Sequence, residues 1–229
     1  MPRISAFEEH TEAYDAWFER HRDLYEAELC AVRALLPPRG AEILEVGVGS
    51  GRFAVPLGIR VGVEPSGRMA DRARSLGIEV HEGVAEALPF HDGCFDAVLL
   101  VTTICFVDDV AAALQEARRV LKPGGRLVVG FVDRDSELGR RYEENRERSR
   151  FYREATFFSP AELVTLLEAA GFCIGRIVQA LLPAKPPEIL REGHGEGAFV
   201  AIQALAPGHG STSDGPLDPP GAPGREDRA

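Results

Sequence analysis

From Ala41 to Val132 the chain alternates runs of consecutive apolar residues with stretches of helical spacing. "AEILEV", "IRVGVE", "IEVHEG", "CFDAVLLVT" and "GGRLVVGFV" read as strands, and "RFAVPL", "GRMADRARSLG" and "VDDVAAALQEARRVL" as the helices between them. Strands apolar on both faces must be covered on both sides, and their alternation with helices implies a parallel sheet. The expected fold class is therefore α/β and doubly wound. Two further strands, "CIGRIVQALL" and "GAFVAIQAL", bring the expected count to seven. They follow the helical stretch "SPAELVTLLEAAGF", with Ser159 as N-cap, Pro160 at its first position and Gly171 as its stop.

The flanks differ from this repeat. Between Phe7 and Leu36 apolar residues recur at three- and four-residue steps, which predicts an amphipathic helical segment over 7–36, broken once at most and stopped by "PPRG". Residues 134–158 form a charged, arginine-rich insert, and "PAKPPEILREGHGEG" is a connection between the last two strands. From Pro207 the composition of Gly, Pro, Ser and Asp cannot bury enough apolar surface to order itself. The expectation is one domain over 1–206 and a disordered tail over 207–229, in keeping with 229 residues of which 45% are hydrophobic.

A net charge of -10 argues against nucleic acid as a partner. No apolar run approaches the roughly 18–20 residues of a membrane helix, and the first residues lack the pattern of a secretory signal, so a cytoplasmic protein without a membrane partner is expected. Cys30, Cys94, Cys105 and Cys173 are widely separated, which suits buried thiols and no metal site. No segment specifies an oligomeric state.

"ILEVGVGSG" concentrates the chemistry. In an open parallel sheet ligands bind at the carboxyl ends of the strands, and the first of these ends in Gly47, Gly49 and Gly51, which permit a tight turn and close backbone approach to a ligand. Glu45 is an acid in a strand that should be dry, so it asks for a cationic partner such as an ammonium. Glu64 ends the second strand, where an acid can accept both hydroxyls of a ribose. Together these residues point to a nucleoside ligand. The GxGxG spacing departs from the GxGxxG of dinucleotide sites, and a carboxylate beside a pyrophosphate would be repulsive, which favours S-adenosylmethionine over NAD.

In order, "ILEVGVGSGRFA", "GVEPS", "GVAEALPFHDGCFDAVLLVTTICFVDD" and "EARRVLKPGGRLVVGF" resemble the motifs of class I S-adenosylmethionine-dependent methyltransferases. The resemblance covers roughly Tyr14 to Leu205. It is nearest to the small-molecule type related to the ubiquinone/menaquinone and biotin-pathway enzymes. It implies a Rossmann-like, mostly parallel seven-stranded sheet with its last strand antiparallel, an N-terminal helical lid, and methyl transfer to a small-molecule substrate. It further implies that Glu45, Gly47 and Gly49 contact the methionine part, while Gly51 shapes the turn. Glu64 would hold the ribose, Pro65 and Met69 would pack near adenine, Ala85 and Glu86 would lie in the adenine loop, and Thr102 would approach the sulfonium. Many relatives carry an acid where this chain has Val84, so the usual partner of the adenine amino group is missing. An NAD-dependent oxidoreductase and a non-catalytic cofactor-binding regulator are the alternatives.

Methyl transfer from a sulfonium needs alignment and exclusion of water, and a base only when the nucleophile holds its proton. No catalytic residue is therefore dictated. Tyr14, Trp17, Phe18 and His21 share a helical face that would line a lid or equally form a core stripe. Cys105 and Phe106 follow the fourth strand, where a buried thiol or a nucleophile could sit. The arginines of 134–153 form either an anion clamp or a solvated face, and His194 with Glu196 lies in a glycine-rich loop that could reach the site.

Overall fold

Five parallel strands lie in the order β3-β2-β1-β4-β5: β1 (Ile43–Val46), β2 (Val61–Val63), β3 (Glu79–His81), β4 (Phe95–Val101) and β5 (Leu121–Val132). The computed structural model describes residues 4–181 and 189–208. Beyond β5 come β8 (Phe199–Leu205), antiparallel to it, then β6 (Cys173–Ala180) and β7 (Leu190–Glu192) at the edge. This is the expected Rossmann-like sheet with one correction: it has eight strands, not seven. β7 spans three residues with only Leu190 apolar, too short to show an alternating pattern. The free edge of β6 fixes it, through pairs such as Val178 with Glu192 and the bond from Gly193 N–H to the Ile177 carbonyl at 2.8 Å.

Both sheet faces are buried, as the apolar runs require. Leu44, Val98, Leu100, Leu127 and Val129 pack into a core with α6 (Val110–Val120) and α8 (Pro160–Ala169). Leu99, Val101 and Val128 face the opposite layer, which includes α3 (Arg22–Arg33), α4 (Ala54–Leu57) and α5 (Gly67–Ser75). Ser159 caps α8 in a reciprocal capping box with Glu162, and Pro160 occupies the first turn.

The N-terminal segment is broken twice rather than once, into α1 (Ser5–Glu9), α2 (Thr11–Arg20) and α3, with non-helical backbone at His10 and His21. No Gly or Pro occurs there to announce the breaks. Docking sets them, because each helix is held by a different partner. Glu8 on α1 accepts hydrogen bonds from the Ser66 hydroxyl at 2.5 Å and the Arg68 N–H at 3.2 Å, at the start of α5. Asp15 on α2 accepts from the Ser50 hydroxyl at 2.6 Å and from Arg52 at 2.9 Å, beside the glycine turn. α3 packs on β5, β6 and β8.

The insert contains α7 (Glu137–Glu144) and a 3-10 turn, Arg146–Arg148. Of the expected tail, Pro207 and Gly208 are described without regular structure and the rest lies outside the described residues, as does 182–188 of the connection. Among the described residues no helix is long and apolar enough to cross a membrane.

Candidate active site

The strand order reverses between β1 and β4, and there the strand ends diverge to leave room for a ligand. A cavity of about 460 Å³ opens at this point, lined at the strand exits by Val46, Gly47, Val63, Glu64, Val101 and Val132. The glycine turn forms part of its wall. Gly47 (φ +71°) and Gly49 (φ +54°) hold left-handed backbone that side chains rarely adopt. A Cβ on Gly47 would lie 2.5 Å from Thr103 Cγ2 and Oγ1, whereas on Gly49 the nearest atom would be the Tyr14 hydroxyl at 3.8 Å. Gly47 thus allows close packing of two wall segments, and Gly49 leaves bare backbone toward the cavity. Gly51 does not line the cavity; a Cβ there would meet Ile78 at 2.8 Å, so it serves packing of the turn.

Glu64 crosses from β2 to the turn. Its carboxylate accepts the Gly49 N–H at 2.8 Å and the Ser66 N–H at 3.0 Å, one on each oxygen. Burial raises its carboxyl to about 7 against the pull of these two bonds. Each carboxylate oxygen retains a further lone pair for a ligand hydroxyl. Pro65, Met69, Val84, Ala85 and Glu86 continue this end of the wall. The Glu86 carboxylate also orders the facing loop, accepting the Asp108 N–H at 2.8 Å and the Asp109 N–H at 3.1 Å.

Thr102 lines the cavity at the exit of β4 with φ +50°, a conformation rare for a β-branched residue. Its N–H donates to the Gly130 carbonyl at 2.8 Å and its carbonyl accepts from Cys105 Sγ at 3.1 Å. Strain held from both sides at a cavity wall is typical of a ligand-contacting position.

Glu45 is adjacent to the wall but does not line it. It is 2% exposed, and its Oε2 has no hydrogen-bond partner among the described residues. Burial, then the charge of Glu64, raises its carboxyl well above the ordinary range. In the fold this acid has an unpartnered oxygen among the described residues, and its side chain stands outside the cavity surface.

The other end of the cavity is aromatic. Phe7, Tyr14 and Trp17 come from the first two helices, Phe106 from the β4 exit, and Tyr142 and Tyr152 from the insert. Tyr142 stacks on Tyr152 at 5.0 Å between centroids, and Phe7 meets Phe106 edge-on at 4.9 Å. Three expected candidates are not brought here. His21 is exposed and stacks on the outer ring of Trp17 at 4.7 Å, because the helix ends at that residue. Cys105 turns away into a small cluster with Ala155 and Phe157, its Sγ donating back to Thr102. His194 is on the exposed loop between β7 and β8 and does not line the cavity; Glu196 of the same loop pairs with Arg191. None of the insert's arginines lines the cavity, so no anion clamp forms there; its aromatic residues face inward instead.

Glu28 was missed from the sequence. It reaches the cavity wall from α3, is 5% exposed, and has no hydrogen bond or ion pair among the described residues. The signal was an acid four residues from Leu24 and four from Val32, inside the apolar stripe of the helix. Every charged residue lining the cavity is an acid: Glu28, Glu64, Glu86, Asp108 and Asp109. No Lys, Arg or His lines it among the described residues.

A glycine turn at the switch point, an acid on the second strand and a wall whose charges are all acidic define a nucleoside-cofactor site suited to a cation rather than to a pyrophosphate. The family model described as a methyltransferase domain matches residues 44–129. The chain is similar to a Thermotoga maritima crystal structure of an S-adenosylmethionine-dependent methyltransferase, called a possible histamine N-methyltransferase. The two are 51% identical with a TM-score of 0.82, over 88% of this chain and 98% of that one. It is also 40% identical to an uncharacterised protein of Methanocaldococcus jannaschii over 88% of this chain and 98% of the relative. An uncharacterised Mycobacterium tuberculosis protein is 39% identical over 95% of this chain and 80% of the relative. The chain belongs to the class I S-adenosylmethionine-dependent methyltransferases, and S-adenosylmethionine is its cofactor. The oxidoreductase alternative is not favoured.

Proposed function

We propose that this protein transfers the methyl group of S-adenosylmethionine to a small-molecule acceptor bound at the aromatic end of the cavity. The observation that supports this reading best is the division of one cavity into two ends, one built from Glu64 and the glycine turn, the other from rings of α1, α2 and the insert. Bound there, the cofactor supplies an already activated methyl on a sulfonium. Glu64 would hold the ribose hydroxyls, and Pro65, Met69 and Ala85 would pack about the adenine. Gly47, Gly49 and Thr102 would place bare or strained backbone beside the methionine part, and Glu45 Oε2 is an acceptor that still needs a donor. Glu86 would shape the adenine loop through its bonds to residues 108 and 109.

The chain's own contribution is alignment and exclusion of water. α1 and α2 act as a lid, latched by Glu8 on the start of α5 and by Asp15 on Ser50 and Arg52, so that Phe7, Tyr14 and Trp17 close over the site. The apolar walls favour an organic acceptor small enough to share a cavity of about 460 Å³ with the cofactor. The spread of the cysteines in the sequence supports a reducing, cytoplasmic setting.

Calorimetric titration with S-adenosylhomocysteine tests the cofactor assignment: micromolar binding is expected, and no binding at millimolar ligand, or tighter binding of NAD, would overturn it. Incubation with methyl-labelled cofactor and a metabolite extract separates an enzyme from a non-catalytic binder. A labelled small molecule is expected, and label found only on protein or nowhere would refute the small-molecule reading.

A further inference from the structure

Glu28 comes from outside the elements that build the nucleoside end of the cavity. It projects from α3, which packs on β5, β6 and β8, whereas the nucleoside end is built from β2, α5 and the loop after β3. Glu28 lines the cavity together with Tyr14, Tyr142 and Tyr152, each of which feels its charge. A carboxyl buried at 5% exposure without a cation or hydrogen-bond donor is costly to keep unless a ligand completes it.

Resting on the methyltransferase reading above, we infer that the acceptor is a small amine with an apolar body, and that Glu28 is the residue that binds its nitrogen and takes its proton. Four acceptor chemistries compete for such a pocket. Carboxylates and phosphates find no cation on the cavity wall among the described residues, and their own charge opposes ionisation of Glu28. An alcohol gains one neutral hydrogen bond, and a carboxylate is too weak a base to ionise it. A phenol or thiol would have to form an anion beside that same acid. An ammonium donates a charge-assisted hydrogen bond to the Glu28 carboxylate and gains cation–π attraction from the rings around it.

The same acid solves the proton problem of N-methylation. An alkylammonium ordinarily keeps its proton up to a pH of about 10, and has no lone pair to offer while it does. Burial pushes the Glu28 carboxyl up to about 8, the only influence acting on it, so it can accept the proton inside the cavity. The titratable groups at this end are Tyr14, Tyr142 and Tyr152, which feel the charge of Glu28, with Arg141 acting on Tyr142 and Glu45 and Glu64 acting on Tyr14. The ammonium N–H bond breaks and its proton passes to a Glu28 oxygen. The freed nitrogen lone pair then forms the bond to the methyl carbon as the carbon–sulfur bond breaks, its electron pair returning to sulfur. A second nitrogen proton, or the one on Glu28, leaves to solvent with the product.

The test uses binding, independent of turnover. Trp17, the only tryptophan, lines the cavity and reports occupancy by fluorescence. Full-length protein is titrated with 2-phenylethylamine, its isostere 2-phenylethanol, and phenylacetate, and S-adenosylhomocysteine is titrated separately. The wild type is expected to bind the amine at least about ten-fold tighter than the alcohol, and phenylacetate least. Glu28→Gln is expected to bind amine and alcohol alike while keeping its affinity for S-adenosylhomocysteine. Should Glu28→Gln not fold, Glu28→Asp replaces it, and a preference narrowed below ten-fold supports the assignment. Equal binding of amine and alcohol by the wild type, an undiminished preference in either variant, or no amine binding at about 10 mM overturns it. A wild type that shows no amine selectivity yet binds S-adenosylhomocysteine discards the amine alone. The reverse pattern discards the methyl donor and leaves an amine site.

Discussion

Replacing Glu28 by Gln should make the ligand-free protein more stable at neutral and alkaline pH, and the pH dependence of that gain is its signature. In the folded state burial raises the carboxyl from its ordinary 4.5 to about 8, with no cation to offset it. For an acid raised in this way, stability is fully present below the unfolded value, is lost as pH rises through the folded one, and is level above that. Each pH unit in the window from about 4.5 to 8 costs the wild type up to about 1.4 kcal/mol, giving a ceiling near 5 kcal/mol. The amide is nearly isosteric and carries no charge to bury. Glu45 and Glu64 are raised too, so the wild type has further pH dependence of its own, but those groups are common to both proteins and cancel in the comparison.

Urea unfolding followed by Trp17 fluorescence, from about pH 5 to pH 9 and without ligand, measures the difference directly. With a slope of about 2–3 kcal/mol/M, a gain of about 3 kcal/mol moves the midpoint upward by about 1 M. The two proteins should converge near pH 5 and separate progressively to about pH 8. A constant difference would mean that Glu28 is solvated, and a variant that loses stability as pH rises would mean that a cation pairs with it. Either outcome refutes the reading of a buried, unpartnered acid.

Three other substitutions probe separate parts of the structure. Gly47→Ala forces a Cβ to 2.5 Å from Thr103 at φ +71°, which should cost about 2–4 kcal/mol of stability and weaken S-adenosylhomocysteine binding at least ten-fold by calorimetry. Asp15→Asn weakens the latch to Ser50 and Arg52; an effect of about 1 kcal/mol on a half-buried pair should raise the cofactor Kd several-fold and expose α2 to limited proteolysis, with little change in Tm. Ser159→Ala breaks the capping box of α8 and should cost about 1 kcal/mol in denaturant unfolding. Cofactor affinity should not move, because α8 has no residue in the cavity wall.

The cofactor end was legible because its constraints are local. Gly47 and Gly49 are needed where the backbone itself turns, and Glu64 stands at a strand exit whose place follows from the apolar run before it. The lid helices were legible as a helical segment, but their two breaks were not. Nothing in the sequence near His10 or His21 interrupts a helix, and the anchors that bend the chain there, Glu8 on Ser66 and Asp15 on Ser50 and Arg52, join residues far apart in sequence. The insert misled in another way. Its arginines are conspicuous in the sequence, yet the residues turned inward are Leu138, Tyr142, Phe151 and Tyr152.

What the sequence by itself determined is the doubly wound sheet, the glycine turn and the acid pair Glu45 and Glu64, because burial on both strand faces and backbone dihedrals are imposed residue by residue. What only the tertiary structure decided is the acceptor end. There Glu28, Tyr142 and Tyr152 meet from segments that share no periodicity, and whether His21, Cys105 or His194 joins them depends on where helices end and loops lie in space. Glu28 is the clearest case. In the sequence it is one more acid on a helix, and packing against the sheet makes it a buried carboxyl facing a cavity, with chemistry that its exposed neighbours lack.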